Sequence, residues 1–352
     1  MNPIRVLIID DSAFMRKMIT EILTSDKRIK VIDTARNGED GLRKIKKLLP
    51  DVITLDIEMP IMDGIKTLKQ IMQTRPLPVV MLSSVTDQEA SKTMKAISNG
   101  AVDFIMKPSG PISLNLEDIK QEIITKVLSA ASVNGTIGTT KNENLFSKMT
   151  LQTQKYARTI ITIGTSTGGP RALQRVLSDL PKISLPPILI VQHMPQQFIK
   201  SLAERLKRVT HIHVKEATQG ELIKNNTAYI APGNKHMKVR TAGLALAIEL
   251  TDEEPRNGHR PSVDTLFESI ANIEKVNKVA IVLTGMGSDG ARGLKVLKSK
   301  DPSTMIFAES EESAVIYGMP RAALHTGVVH SVIHLNQIGE LIGDLTKKSG
   351  EI

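Results

Sequence analysis

Residues 51–64 read DVITLDIEMPIMDG. A short apolar run ends there on an acid, Asp56, then passes Pro60 and Gly64 into a segment of helical period. Three other runs in the first third have the same form. Ile4–Ile9 ends in Asp10-Asp11, Pro78–Leu82 in Ser83-Ser84, and Asp103–Met106 in Lys107-Pro108. Helical segments are expected near Ala13–Thr24, Gly38–Leu49, Ile65–Gln73, Asp87–Ser98 and Leu116–Leu128. In the first, Phe14, Met18 and Ile22 recur at every fourth position behind Ser12, a suitable N-cap. This alternation predicts an α/β domain of (βα)5 form over residues 1–128.

In an open parallel sheet the C-terminal strand ends share one edge, where sites form. Asp10, Asp11, Asp56, Ser83 or Ser84, and Lys107 should therefore converge. Clustered carboxylates repel one another and call for a cation; Mg²⁺, which takes oxygen ligands, is expected. The metal set would be Asp10, Asp11 and Asp56, with the backbone carbonyl of Glu58 as a further ligand. Asp56 can accept a phosphoryl group as a mixed anhydride, Lys107 can neutralise the phosphoryl oxygens, and a serine hydroxyl can bond the new phosphate. Acids that merely cap helices would explain one such residue, but not the whole set on four strand tips.

The chain has 352 residues, 41% hydrophobic, which suits two or three domains with real cores. With no cysteine, a disulfide scaffold is excluded. No run of about 18 apolar residues occurs, so membrane insertion is not expected. The start, MNPIRVLIIDD, enters a strand rather than a signal peptide, so a cytoplasmic protein is expected. The net charge of +9 raises the question of nucleic acid, but the basic residues are scattered and only six Phe and three Tyr offer stacking surfaces. A solvated basic surface, or an acidic protein partner, fits better.

Residues 129–157 are rich in Ser, Thr, Asn, Gln and Gly and read as a flexible linker. Strand signals resume at Thr159–Gly164, Pro187–Gln192 and Lys278–Thr284, each followed by a loop and a helical pattern. The span 212–250 looks strand-rich and irregular, and Leu335–Lys347 looks helical. A second α/β domain, with a doubly wound, Rossmann-like parallel sheet, is expected over 158–347.

Its first turn, in IITIGTSTGGPRAL (160–173), fits G-x-S-x-G between strand and helix, a geometry that exposes Ser166. His193 follows the next strand and is the expected base. Asp289, in LTGMGSDG after a third strand, is the expected orienting acid. Backbone N–H groups of Thr167 and of the Gly285-Met286-Gly287 loop would form the oxyanion hole. Asp264 is the alternative acid and His259 the alternative base. GTSTGG can also cradle a phosphate at a helix N-terminus, a weaker reading because it lacks the spacing and lysine of a P-loop. The order Ser, His, Asp differs from that of α/β-hydrolases and argues for a convergent triad on another fold. His211 and His213 could share a metal on a strand, but no third ligand is well spaced, and a surface pair is expected. Ser262 reads as a helix cap.

Asp10-Asp11, Asp56 in DIEMP, Ser83 and Lys107-Pro108 together resemble a response-regulator receiver domain. Phe104 stands where that family often carries a switching aromatic. GTSTGGP, LIVQHMP, HRPSVD and LTGMGSDGARG resemble, in order and spacing, the blocks of the chemotaxis protein-glutamate methylesterase (CheB) family. The resemblance implies a nucleophile at Ser166, a base at His193 and an acid at Asp289. It also implies hydrolysis of glutamyl methyl esters on chemoreceptors, and glutamine deamidation, with no cofactor for the hydrolysis. A chemotaxis histidine kinase would phosphorylate Asp56 with Mg²⁺, and the unphosphorylated receiver would cover the catalytic edge. Two rivals remain: a phosphorylation-regulated DNA-binding protein, which would need a helix-turn-helix after the linker, and a nucleotide-binding enzyme that uses GTSTGG.

Overall fold

The computed structural model describes residues 2–84, 86–107, 116–132, 156 and 158–347. They form two compact units divided at 136/137. Pro108 and most of the expected linker, 133–155 and 157, lie outside the described residues.

The first unit alternates strand and helix throughout. Its strands are β1 (Ile4–Ile9), β2 (Ile29–Ala35), β3 (Val52–Asp56), β4 (Val79–Ser83) and β5 (Asp103–Met106). Its helices are α1 (Ala13–Thr24), α2 (Gly38–Leu48), α3 (Gly64–Thr74), α4 (Asp87–Ser98) and α5 (Leu116–Ala131). The strands pair in parallel in the order β2-β1-β3-β4-β5. Every residue of β3 and β4 is buried, as a sheet covered on both faces requires. The order reverses at β1/β3, so the tips bearing Asp10 and Asp56 are neighbours.

Two expectations need correction. Helix α5 continues to Ala131, into the stretch read as linker. Helix α1 buries Met15, Ile19, Ile22 and Leu23, whereas Phe14 is 61% exposed. The helix is apolar around much of its girth, so a four-residue count finds two candidate stripes. Contact with the sheet selects the one beginning at Met15. Ser12 caps it as expected, accepting a hydrogen bond from the Met15 N–H.

The second unit is built on a seven-stranded parallel sheet. In chain order its elements begin β6 (Thr159–Thr165), α6 (Gly169–Ser178), β7 (Ile188–Gln192), α7 (Gln196–Lys207), β8 (His213–Glu216) and β9 (Thr227–Ile230). They continue with β10 (His236–Ala242), β11 (Ala245–Thr251), α8 (Val263–Ala271), β12 (Asn277–Val282) and α9 (Ala291–Lys300). The last are β13 (Met305–Glu309), α10 (Met319–Leu324), β14 (Ser331–Ile333) and α11 (Leu335–Lys347). The sheet order is β14-β13-β12-β6-β7-β9-β8, while β10 and β11 form a separate antiparallel hairpin. The strand-rich 212–250 region is therefore split between the main sheet and a hairpin. The chain leaves β6 towards β7 and later returns to β6's other side with β12. This reversal puts the tips of β12, β6 and β7 side by side.

One core cluster runs from the sheet into α8, joining Leu189, Val191 and Val282 to Val263, Leu266, Phe267 and Ile270. Burial of this helix face anchors its N-terminus beside the sheet edge.

Candidate functional site

Ser166 follows β6 and His193 follows β7, and the register pairs Thr165 with Gln192, so the two residues leave the sheet at the same level. Gln192 ties them together: its Nε2 donates to the carbonyls of Ser166 and His193, each at 3.0 Å. The turn after Ser166 needs Gly168, whose φ of +78° disfavours a side chain. The facing loop approaches as closely: a Cβ on Gly285 would lie 2.9 Å from Ser166 Cβ.

Asp289 comes from the loop after β12 and is 2% exposed. Its Oδ2 lies 2.8 Å from His193 Nε2 and also accepts from the Val263 N–H at 2.7 Å. Its Oδ1 accepts from the Ser262 hydroxyl at 2.9 Å and from the N–H groups of Asp264 and Gly290, each at 3.0 Å. The carboxylate thus sits on the N-terminus of α8, where helix N–H groups favour an anion. Burial alone would raise its pKa, but the His193 bond and the Asp264 and Val263 N–H groups bring it down to about 2. An ionised carboxylate can only accept, so the neutral imidazole carries its proton on Nε2. Nδ1 is then the unprotonated nitrogen, and it is buried with no hydrogen bond among the described residues.

Thr284 links the two loops. Its carbonyl accepts from the Ser166 N–H at 3.0 Å and the Thr165 hydroxyl at 2.8 Å. Its hydroxyl donates to the Thr167 carbonyl at 2.9 Å and accepts from the Ile316 N–H at 2.8 Å. Its own N–H donates to Glu309 at 2.7 Å. Of the expected oxyanion donors, Gly285 N–H is used, bonded to the Ile316 carbonyl at 3.0 Å. The N–H groups of Thr167 and Met286 have no backbone acceptor among the described residues.

The alternatives fare differently. Asp264 lies away from the imidazole, accepting from the Gly293 N–H at 2.6 Å, so it is not the acid paired with His193. Neither His193 nor His259 has a hydrogen bond to the Ser166 hydroxyl among the described residues; of the two, His193 is the one paired with a carboxylate, and the His259 ring stacks on it, with centroids 3.9 Å apart and planes 10° apart. Ser262 caps α8 as expected and also holds Asp289. His211 and His213 are exposed and belong to no metal-ligating group of three among the described residues.

At the first unit's sheet edge, one carboxylate oxygen each from Asp10, Asp11 and Asp56 lies within 4.8 Å of the others. Lys107 Nζ sits 2.7 Å from Asp56 and 3.1 Å from Asp10. Burial pushes the Asp56 carboxyl up to about 7; Lys107 opposes the rise and Asp10 and Asp11 add to it. Oδ2 of Asp56 is buried without a hydrogen bond among the described residues. An all-oxygen set with an unpaired buried oxygen fits a hard divalent cation. Ser83 is buried, its hydroxyl 2.7 Å from that of Thr93 on α4, and the Ser84 N–H is held by Glu89. Phe104 is buried under Lys126, whose Nζ lies 5.1 Å from the ring centroid. The Glu58 side chain turns away to pair with Lys92.

Residues 161–342 match the CheB methylesterase family, and residues 6–117 match the response regulator receiver domain family. The chain belongs to the CheB methylesterase family. Full-length relatives are named protein-glutamate methylesterase/protein-glutamine glutaminase. The one from Oceanobacillus iheyensis is 52% identical over 97% of this chain and 99% of its own. The one from Bacillus subtilis is 46% identical over 98% and 99%. The second unit also matches the crystal structure of the Thermotoga maritima CheB methylesterase catalytic domain. That match has a TM-score of 0.52 and 38% identity, covering 54% of this chain and 99% of that one. The CheB relatives give no support to the nucleotide-binding alternative, and the unit after the expected linker is an α/β domain, not a DNA-binding helix-turn-helix. A receiver domain implies phosphorylation, typically with Mg²⁺, from a kinase. No described helix is long and apolar enough to cross a membrane.

Proposed function

We propose that this chain is a cytoplasmic, phosphorylation-activated esterase that hydrolyses γ-glutamyl methyl esters on chemoreceptors and deamidates receptor glutamines. Ser166, His193 and Asp289 carry the chemistry. The reading rests above all on the 2.8 Å His193–Asp289 pair, held at the strand tips beside Ser166. Ser166 Oγ attacks the side-chain carbonyl while His193 Nδ1 takes the hydroxyl proton. The new oxyanion is met by the N–H groups of Thr167 and Met286. The imidazolium, stabilised by Asp289, gives that proton to the leaving methoxide or amide nitrogen, so methanol or ammonia departs. Water then repeats the sequence on the acyl-serine, leaving the glutamate carboxylate and the free serine.

In the receiver, Asp56 accepts the phosphoryl group from a chemotaxis histidine kinase. Asp10, Asp11 and Asp56, with the Glu58 carbonyl, would hold Mg²⁺, which offsets the charge on the phosphoryl oxygens when bound. Lys107 adds a positive charge there, the Ser83 hydroxyl exchanges Thr93 for the phosphate, and Phe104 moves with that switch. Methanol release from a methyl-esterified receptor fragment tests the reading. Ser166→Ala should release none. Asp56→Asn should retain basal release but ignore Mg²⁺ plus a small phosphodonor. Full activity in Ser166→Ala would overturn the nucleophile assignment.

A further inference from the structure

His259 makes a ring contact with His193. It lies half-buried in the loop before α8, where paired backbone bonds with Arg256 hold it: His259 N–H to the Arg256 carbonyl at 2.9 Å, and the reverse at 3.0 Å. Arg256 is in turn clamped to Glu268 of α8, with Nη2 2.6 Å from Oε1. The loop is thus tied to the same helix that carries Asp289's hydrogen-bond donors.

We infer that His259 is a positioning residue for the His193 base, its flat ring lying 3.9 Å from the imidazole and within 10° of parallel. This rests on the triad reading above. Three consequences follow from the contact. First, the imidazole is fixed at one edge by the Nε2–Asp289 bond, but one bond leaves it free to rock about the bond to its Cβ. A ring stacked on its face blocks that motion and keeps Nδ1 aimed. Second, the stack covers a face of His193 that water would otherwise reach, and His193's side chain is only 8% exposed. Third, acylation puts a positive charge on His193, and a neutral ring against it adds no like charge to oppose that step. His259 meets that requirement by staying neutral: burial, then the neighbouring His193, bring its pKa down to about 4, with Asp289 pulling the other way.

The experiment compares the full chain with His259→Ala, His259→Phe and Ser166→Ala, using a short peptide bearing a glutamate γ-methyl ester as probe. Loss of positioning should lower kcat of His259→Ala by about 10- to 100-fold with KM little changed, because small misalignments of a reacting group cost that much. His259→Phe keeps a flat ring and should restore most of the rate, which a loss of general stability would not do. The proton of the His193 Nε2–Asp289 bond should be broadened by exchange in ¹H NMR spectra of His259→Ala and sharp in His259→Phe. Wild-type kcat in His259→Ala, or equal losses in both variants while Ser166→Ala is dead, would overturn the positioning role alone. Wild-type rate in Ser166→Ala would overturn the triad reading, and this inference with it.

Discussion

At the scale of the residue, Asp289 is the most constrained group in the catalytic unit. It accepts hydrogen bonds from an imidazole, a hydroxyl and three backbone N–H groups, the last four of them buried. Asn in its place offers one acceptor oxygen and brings two N–H donors into a site already full of donors. Asp289→Asn should therefore lower kcat by on the order of 10³- to 10⁴-fold, through the loss of both the His193 tautomer and the charge that stabilises its cation. It should also cost about 1–3 kcal/mol of stability for each donor left unpaired. Steady-state kinetics beside a urea melt would separate the two effects. The proposed triad could be read from the sequence because Ser166 and His193 directly follow apolar strands and Asp289 lies in the loop after a third. The five-fold hold on Asp289 could not, since three of its donors, Ser262, Val263 and Asp264, come from a segment about 25 residues away and no local period encodes that contact. Phe14 shows the converse error: its spacing suited the core, and only contact with the sheet excluded it.

At the scale of the element, the tips of β6, β12 and β13 are coupled through Thr284 and Glu309. Glu309, the last residue of β13, is fully buried and accepts from the Thr284 N–H at 2.7 Å and the Ser313 hydroxyl at 3.0 Å. Burial raises its carboxyl from 4.5 to about 7, and those two donors only partly oppose the rise. The sign follows from proton counts. As pH rises, the unfolded chain releases this proton near 4.5, while the native chain keeps it to about 7. Stability from this group is thus highest below the lower value and falls across that window, by on the order of 3 kcal/mol. Glu309→Gln removes the titration, so the wild-type urea midpoint minus the variant's should drop between about pH 5 and about pH 8. A constant difference would contradict the buried-acid account. Thr284→Val tests the same junction from the other side. It leaves the Ile316 N–H and the Thr167 carbonyl short of a partner, which should cost about 1–3 kcal/mol, and it frees the Ser166 turn, so kcat should fall more than KM rises. Neither residue stood out in the sequence, because a buried acid at a strand end looks like any polar boundary until its partners are known.

At the scale of the whole molecule, two sheets repeat one device: a reversal of strand order gathers chemistry-bearing tips. In the receiver the reversal lies between β1 and β3, and in the esterase β6 lies between β12 and β7. That shared architecture explains why both candidate sites could be read in the sequence as residues past strand ends. The strands that complete the second sheet were less legible: β8 and β9, four residues each, fell in a span read only as strand-rich and irregular, and β13 and β14 were not marked. Coupling between the units has its own prediction. If phosphorylation of Asp56 relieves an inhibition, a chain lacking residues 1–150 should release methanol without a phosphodonor and should not respond to one.

The central claim is that Ser166 is the nucleophile of an esterase switched through Asp56. The most direct measurement is methanol release from a methyl-esterified receptor fragment, with and without Mg²⁺ and a small phosphodonor, for wild type, Ser166→Ala and Asp56→Asn. The account predicts stimulated release from wild type, none from Ser166→Ala, and unstimulated basal release from Asp56→Asn. Release from Ser166→Ala at the wild-type rate, or stimulation that persists in Asp56→Asn, would contradict it.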